Sequence, residues 1–103
     1  MKTGWLSNGG KWYYLNNNGD MKTGWLFYDN HWYYLNKSGA METGWLNDGG
    51  RWYYLNNNGS MHTGWFQQGS RWYFFKASGE MATGWIKDND KWYYLNQNGV
   101  YVA

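Results

Sequence analysis

The feature that most constrains the fold of this chain is a sequence pattern that returns every 20 residues. Methionine occurs at positions 1, 21, 41, 61 and 81, and a Gly-Trp pair follows each one three residues later. A fixed period of this length is typical of stacked repeats, because each copy can bury its apolar face only against the next copy. The chain 1–103 is therefore predicted to be a single array. The predicted repeats are 1–20, 21–40, 41–60, 61–80 and 81–100, with 101–103 as the remnant of a further copy.

Within each repeat, the local pattern predicts a β-hairpin. In the first repeat we expect strands at residues 4–8 and 11–16 on either side of Gly9-Gly10, because a type I′ turn needs positive φ at both central residues. The second repeat carries Asp29-Asn30 at this place, so a different turn type is possible there. No segment has a 3.6-residue apolar period. The predicted fold is all-β, a solenoid of stacked β-hairpins without helices.

Aromatic rings dominate the composition, with ten Trp and eleven Tyr in 103 residues. Side chains alternate between the two faces of a strand, so Trp12 and Tyr14 share one face and Tyr13 and Leu15 share the other. Counting from the methionine as position one, we expect the residues at positions six, thirteen and fifteen to form the core. Two tryptophans in every 20 residues exceed what a stack of hairpins needs, which favours a second role in binding.

Three rings around a small hollow would form a site for a quaternary ammonium group. The tryptophans at positions five and twelve lie on the two strands of one hairpin, and the next hairpin would supply the third ring. Position fourteen is the candidate, because it shares a face with position twelve. Each ring contributes on the order of 0.5 to 2 kcal/mol to the binding of such a cation. One site would then bind at about 1 mM, and several sites on a polymeric ligand would bind firmly.

The repeat reads TGWLxxxxxWYYLNxNGxM, from Thr3 to Met21 in its first copy, and it resembles the choline-binding (cell-wall-binding) repeat. That repeat occurs in pneumococcal-type surface proteins, autolysins and phage lysins. The resemblance covers essentially the whole chain and implies a left-handed superhelix of β-hairpins with choline sites between consecutive hairpins. It also implies a non-catalytic, extracellular module that binds phosphocholine on the teichoic acids of a bacterial cell wall. No cofactor is implied, and any export signal or partner domain would lie outside this sequence.

Carried over by position, the resemblance implies four cages, each with two Trp of one repeat, a ring of the next repeat and a residue at the methionine position. They are Trp5, Trp12, Tyr34 and Met41; Trp25, Trp32, Tyr54 and Met61; Trp45, Trp52, Phe74 and Met81; and Trp65, Trp72, Tyr94 and Tyr101. The assignment of methionines to cages stays open. Phe74 lacks a hydroxyl, so the third site is expected to be weaker. Trp85 and Trp92 have no following hairpin, so a fifth site would need a second chain, which makes a homodimer through the terminal hairpin a candidate.

Carbohydrate binding is the alternative, since related aromatic repeats occur in glucan-binding proteins, where rings stack on sugar faces. Those repeats generally rely on Tyr and Phe, whereas two Trp in each repeat favour a cation site.

Catalysis is not expected, because the seven carboxylates share no common repeat position with a base. His31 and His62 occupy different positions and form no metal-ligand cluster, and there is no cysteine. Nine Lys and Arg against seven Asp and Glu leave too small an excess for nucleic-acid binding. No apolar run approaches the roughly 18 residues of a membrane span.

Overall fold

The structure, a computed structural model, describes residues 3–102 and consists of short strands joined by turns. The strands in this range are β1 (Gly4–Asn8), β2 (Lys11–Leu15), β3 (Gly24–Tyr28), β4 (His31–Leu35), β5 (Gly44–Asp48), β6 (Arg51–Leu55), β7 (Gly64–Gln68), β8 (Arg71–Phe75), β9 (Gly84–Asp88), β10 (Lys91–Leu95) and β11 (Tyr101–Val102). Residues 3–102 contain no helix, and hence no apolar helix long enough to cross a membrane. Met1, Lys2 and Ala103, which belong to the first predicted repeat and to the remnant, lie outside the described residues.

Consecutive strands pair in antiparallel hairpins, and β11 adds a third strand to the last one. The all-β fold of five hairpin repeats predicted from the sequence is confirmed, and the second predicted strand ends one residue earlier, at Leu15. In the first hairpin, Trp5 lies opposite Tyr14 and Leu6 lies opposite Tyr13. Residues directly opposite one another share a face of the sheet, so Trp5 and Tyr14 are on one face and Leu6 and Tyr13 on the other.

The hairpin turns have the backbone geometry that Gly and Asn tolerate best. Gly9 and Gly10 have φ angles of 63° and 80°, as a type I′ turn requires. Asp29 and Asn30 have φ angles of 51° and 67°, so the second repeat keeps the same turn despite its different sequence. The exception is the fourth repeat, where Gly69 has positive φ and Ser70 does not, the pattern of a type II′ turn.

A tight loop follows each hairpin and brings the chain back beside it; the loop begins with asparagine in four repeats and with Lys76 in the fourth. In the first repeat, the Asn16 N–H donates to the Asp20 carbonyl oxygen at 2.7 Å and the Gly19 N–H donates to the Asn16 carbonyl oxygen at 2.8 Å. The chain then returns so that Met21 forms a bridge with Leu15. Asparagine suits this loop because its side-chain oxygen accepts backbone N–H groups that would otherwise lack a partner.

The chain forms two compact units. Among the described residues, the first comprises 3–46 and 55–61, and the second comprises 47–54 and 62–102. In the first unit, the Met41 N–H donates to the Trp12 carbonyl oxygen at 2.8 Å. In the second, the Met81 N–H donates in the same way to the Trp52 carbonyl oxygen at 2.7 Å. These bonds join the segment after one hairpin to the second strand of the preceding hairpin.

The core consists mainly of the residues at position fifteen. Four of them are fully buried, with 0% exposure: Leu35, Leu55, Phe75 and Leu95. Leu15, at the same position of the first repeat, is only half-buried. The residues at position six are half-buried throughout, so position fifteen carries more of the core than the sequence analysis expected.

Replacing Leu35 by alanine should therefore destabilise the protein by about 2–5 kcal/mol, because it leaves a cavity at a fully buried site. Leu15→Ala, the same change at the same repeat position, is the matched control and should cost clearly less, since Leu15 already meets solvent. Urea unfolding followed by far-ultraviolet circular dichroism measures both free energies. Equal losses for the two variants would contradict the assignment of the core.

Candidate ligand-binding site

The tryptophans at positions five and twelve form a corner on one face of the first, second and fourth hairpins. In the first hairpin, Trp5 on β1 is half-buried, whereas Trp12 on β2 is 46% exposed. Their ring centroids lie 6.4 Å apart and their planes meet at 82°. Because the rings are almost perpendicular, they form two walls of a hollow rather than a closed stack.

The third wall comes from position thirteen of the next hairpin. The ring of Tyr33 lies 5.1 Å from that of Trp5, with an angle of 69° between the planes. Tyr34, at the predicted position fourteen, instead packs on Trp25 of its own hairpin, with centroids 5.1 Å apart. The sequence analysis misplaced this ring for a physical reason. Position fourteen shares a face with position twelve, so Tyr34 points away from the preceding hairpin, whereas Tyr33 on the opposite face points back toward it.

Together these rings line a hollow of about 420 Å³, here called the first hollow. It is lined by Trp5, Trp12, Tyr33, Met41, Asn57 and Asn58. The sequence analysis left open which methionine lines which cage; Met41 lines this one, and its N–H donates to the Trp12 carbonyl oxygen. Its side chain lies directly under Gly59, where an added Cβ would overlap the methionine sulfur.

Asn57 and Asn58 give the first hollow a polar wall that the sequence analysis did not anticipate. The side-chain oxygen of Asn58 accepts hydrogen bonds from the Ser60 N–H at 2.9 Å and from the Ser60 hydroxyl at 2.7 Å. Since its oxygen is occupied by the loop, the amide NH₂ of Asn58 is the group that remains for other partners. The first hollow therefore combines apolar rings with amide donors.

Another hollow has a volume of about 340 Å³. It is called the fourth hollow because it lies at the fourth predicted cage. It is lined by Trp65, Trp72, Tyr93 and Tyr101. The Tyr93 ring lies 5.0 Å from that of Trp65, and the Tyr101 ring lies 6.0 Å from it. Tyr101 thus occupies the methionine position as expected. Tyr94, the predicted third ring, packs on Trp85 at 5.2 Å, and position thirteen again takes its place.

The two hollows differ in the residue that contacts their position-five tryptophan from position eight of the following hairpin. The Trp65 indole Nε1–H donates to Oδ2 of the half-buried Asp88 at 3.1 Å. Beside Trp5, the corresponding residue is Tyr28, whose ring lies 6.0 Å away. The sequence analysis did not assign Asp88 to a site, because nothing in the repeat pattern indicates that position eight approaches the preceding tryptophan.

The sequence model of the choline-binding repeat matches residues 2–43, 42–83 and 63–102. The chain belongs to the choline-binding repeat family. No curated protein sequence matches it.

Solved structures of other choline-binding proteins have the same fold. Choline binding protein F of Streptococcus pneumoniae is 46% identical over 99% of this chain, with a TM-score of 0.94. CbpJ of the same organism is 41% identical over 99%, with a TM-score of 0.96. The pneumococcal cell wall endolysin from phage Cp-1, solved with choline, is 40% identical over 99%, with a TM-score of 0.76. This chain spans 35%, 39% and 32% of those three proteins, so it corresponds to about a third of each.

Other predicted residues of these choline-binding repeats lie outside the two hollows. Trp25 and Trp32 form the same perpendicular corner, with ring centroids 6.4 Å apart. Tyr54 packs on Phe66 at 4.2 Å, and Phe74 packs on Trp65 of its own hairpin at 5.0 Å.

Two further methionines form the same backbone hydrogen bond as Met41. The Met61 N–H donates to the Trp32 carbonyl oxygen at 2.7 Å, and Met81 bonds to Trp52 as described above. Trp45 lies on β5. Trp85 and Trp92, on the last hairpin, are 66% and 63% exposed, as expected for rings that no following hairpin covers.

Among the described residues 3–102, no group of three or more His, Asp or Glu side chains could hold a metal ion. The two hollows offer aromatic faces, a thioether and amide groups. These groups suit a bulky cation that cannot donate hydrogen bonds.

Proposed function

We propose that this array binds choline groups in its ring-lined hollows and so attaches to phosphocholine on the teichoic acids of a bacterial cell wall, outside the cell. The observation that carries the proposal is the arrangement of Trp5, Trp12 and Tyr33 around the first hollow, with Met41 beside them. In this proposal the repeats act by binding alone, without a catalytic step or a cofactor. The second and third cages of the sequence analysis stay predictions.

The ring angles support a quaternary ammonium ligand. Trp5 stands at 82° to Trp12 and at 69° to Tyr33, so a compact ligand in the hollow would meet aromatic surfaces from three directions. Each ring face carries the negative part of its quadrupole and attracts a cation placed over it. A trimethylammonium group has no N–H to donate, so it needs no buried acceptor. The residues that line the first hollow include no carboxylate.

Partial exposure of the rings is consistent with weak individual sites. Trp12 and Trp72 are 46% and 41% exposed, so water screens part of the attraction. A single hollow should therefore bind choline at about 1 mM. Teichoic acid presents many phosphocholine groups on one chain, and several weak sites would then act together through their high effective concentration.

The terminal hairpin is the least complete part of the proposed array. Trp85 and Trp92 are its most exposed rings, at 66% and 63%. A homodimer through this hairpin is the arrangement by which a second chain would complete a fifth cage.

Glycan binding is the second candidate, and Asn57 and Asn58 are the observation that favours it. Sugars are bound by rings that stack on their faces and by amides that bond their hydroxyls, and the first hollow has both kinds of group. The relatives include choline binding protein F solved in the presence of a peptidoglycan analogue. The fourth hollow is lined by rings alone, which suits a cation better than a sugar.

Titration with choline and with glucan oligomers separates the two candidates. Choline should change the tryptophan emission with a midpoint of about 1–10 mM, because the ligand would rest on exposed indoles. Glucan oligomers at equal concentration should leave the emission unchanged. An emission that stays constant up to tens of millimolar choline would reject the proposal, and a response to glucan alone would favour the alternative.

The third ring provides a residue-level test. Tyr33→Leu should weaken choline binding at the first hollow by about 2–30-fold, because it removes one aromatic wall. Tyr34→Leu is the matched control, since Tyr34 is equally half-buried but packs on Trp25. The indole N–H resonances of Trp5 and Trp12, followed by nuclear magnetic resonance during the titration, report on this hollow alone. A larger effect of Tyr34→Leu on these two resonances would contradict the assignment.

A further inference from the structure

The most informative difference between the two hollows is the position-eight residue that contacts their position-five tryptophan. In the fourth hollow, the Trp65 indole N–H donates to the Asp88 carboxylate at 3.1 Å. In the first hollow, Trp5 has the ring of Tyr28 at this place, and within residues 3–102 its indole N–H makes no hydrogen bond. The rings at positions five, twelve and thirteen are otherwise the same residues in both hollows.

We propose that Asp88 makes the fourth hollow selective for positively charged ligands over neutral ligands of the same shape, whereas the first hollow discriminates less. The inference rests on the proposed function, because it concerns the charge preference of the same aromatic sites. Asp88 does not line the hollow itself. It is a positioning and polarising residue that acts through Trp65.

Two physical effects of the carboxylate favour a cation. A hydrogen bond from the indole N–H to a negative oxygen shifts electron density onto the ring, so the ring face attracts a cation more strongly. The carboxylate also adds a direct Coulombic attraction, which a half-buried position screens less than open water would. Neither effect acts on a neutral ligand, whose contacts depend on the shape of the hollow alone.

Among the described residues, no ion pair neutralises the charge of Asp88. Lys91 lies opposite Asp88 in the hairpin register, but no cation within residues 3–102 forms an ion pair with this carboxylate. The Lys87 ammonium lies over the Trp92 ring instead, 5.9 Å from its centroid. The Asp88 carboxylate therefore has the indole of Trp65 as its partner. Its electric field extends to the fourth hollow, which that indole lines.

The hydrogen bond also fixes the orientation of Trp65. This indole meets Trp72, Tyr93 and Tyr101 at angles of 81°, 72° and 79°. Rotation of the indole would therefore change its contacts with all three other rings of the fourth hollow. An isosteric amide in place of the carboxylate keeps an oxygen that accepts the indole N–H but removes the charge. Asp88→Asn therefore separates the electrostatic role of this residue from its role in holding the ring.

The test compares choline with its neutral isostere 3,3-dimethylbutan-1-ol on the full chain. The indole N–H resonances of Trp65 and Trp72 report on the fourth hollow, and those of Trp5 and Trp12 report on the first. In the unchanged protein, the preference for choline over the neutral alcohol should be greater in the fourth hollow. Its choline affinity should also fall more steeply as sodium chloride is raised.

Asp88→Asn should weaken choline binding at the fourth hollow by about 2–5-fold, the size expected for a partly exposed charge. Binding of the neutral alcohol there and of choline at the first hollow should stay unchanged. Asp90→Asn, in the exposed turn of the same hairpin, is the matched control and should change neither. A Trp65 N–H resonance close to its original position in Asp88→Asn verifies that the ring has kept its place.

The outcomes separate this inference from the proposed function. If choline perturbs none of these four indoles, the proposed function itself fails. If choline binds both hollows but Asp88→Asn leaves its affinity and salt dependence at the fourth unchanged, only the role of Asp88 is overturned. Equal losses for choline and the neutral alcohol would also overturn it, since they would show a purely structural effect.

Discussion

The hydrogen bond from a methionine N–H to a tryptophan carbonyl oxygen of the preceding hairpin, formed by Met41, Met61 and Met81, is the interaction that joins hairpins within each unit of this protein. An isolated two-stranded hairpin is marginally stable in water, so the hairpins need a regular contact with one another. The bond between Met41 and Trp12 provides that contact through the backbone, and it tolerates changes in the side chains. The same bond places Met41 where it lines the first hollow. The packing of the hairpins and the proposed ligand site thus share one repeated element.

The two-residue alternation of strands then decides which rings pack and which line a site. On one face of the second strand, position fifteen is buried in every repeat but the first and forms most of the core. Position thirteen lies on that same face but nearer the hairpin turn, where it meets the tryptophan of the preceding hairpin. Trp5 and Trp65 therefore each have ring neighbours from two hairpins, and the position-twelve and position-thirteen rings among them line the hollows.

Much of this arrangement is predictable from the sequence, because the 20-residue period and the Gly and Asn turn signals act locally. The strand limits follow from them, whereas the role of the methionine position in a site came from the resemblance to the choline-binding repeat. The third ring was assigned wrongly because the alternation rule was applied within one hairpin and not to the hairpin that faces it. Asn57, Asn58 and Asp88 reach their sites through contacts between repeats, and such contacts depend on three-dimensional packing that no local pattern encodes.

The central claim is that the hollow between Trp5, Trp12 and Tyr33 holds a trimethylammonium group. A crystal structure of the protein grown with choline tests this claim most directly. The account predicts density for the choline nitrogen within about 6 Å of all three ring centroids. A hollow that closes by rotation of these rings, or choline bound only at other surfaces, would contradict it.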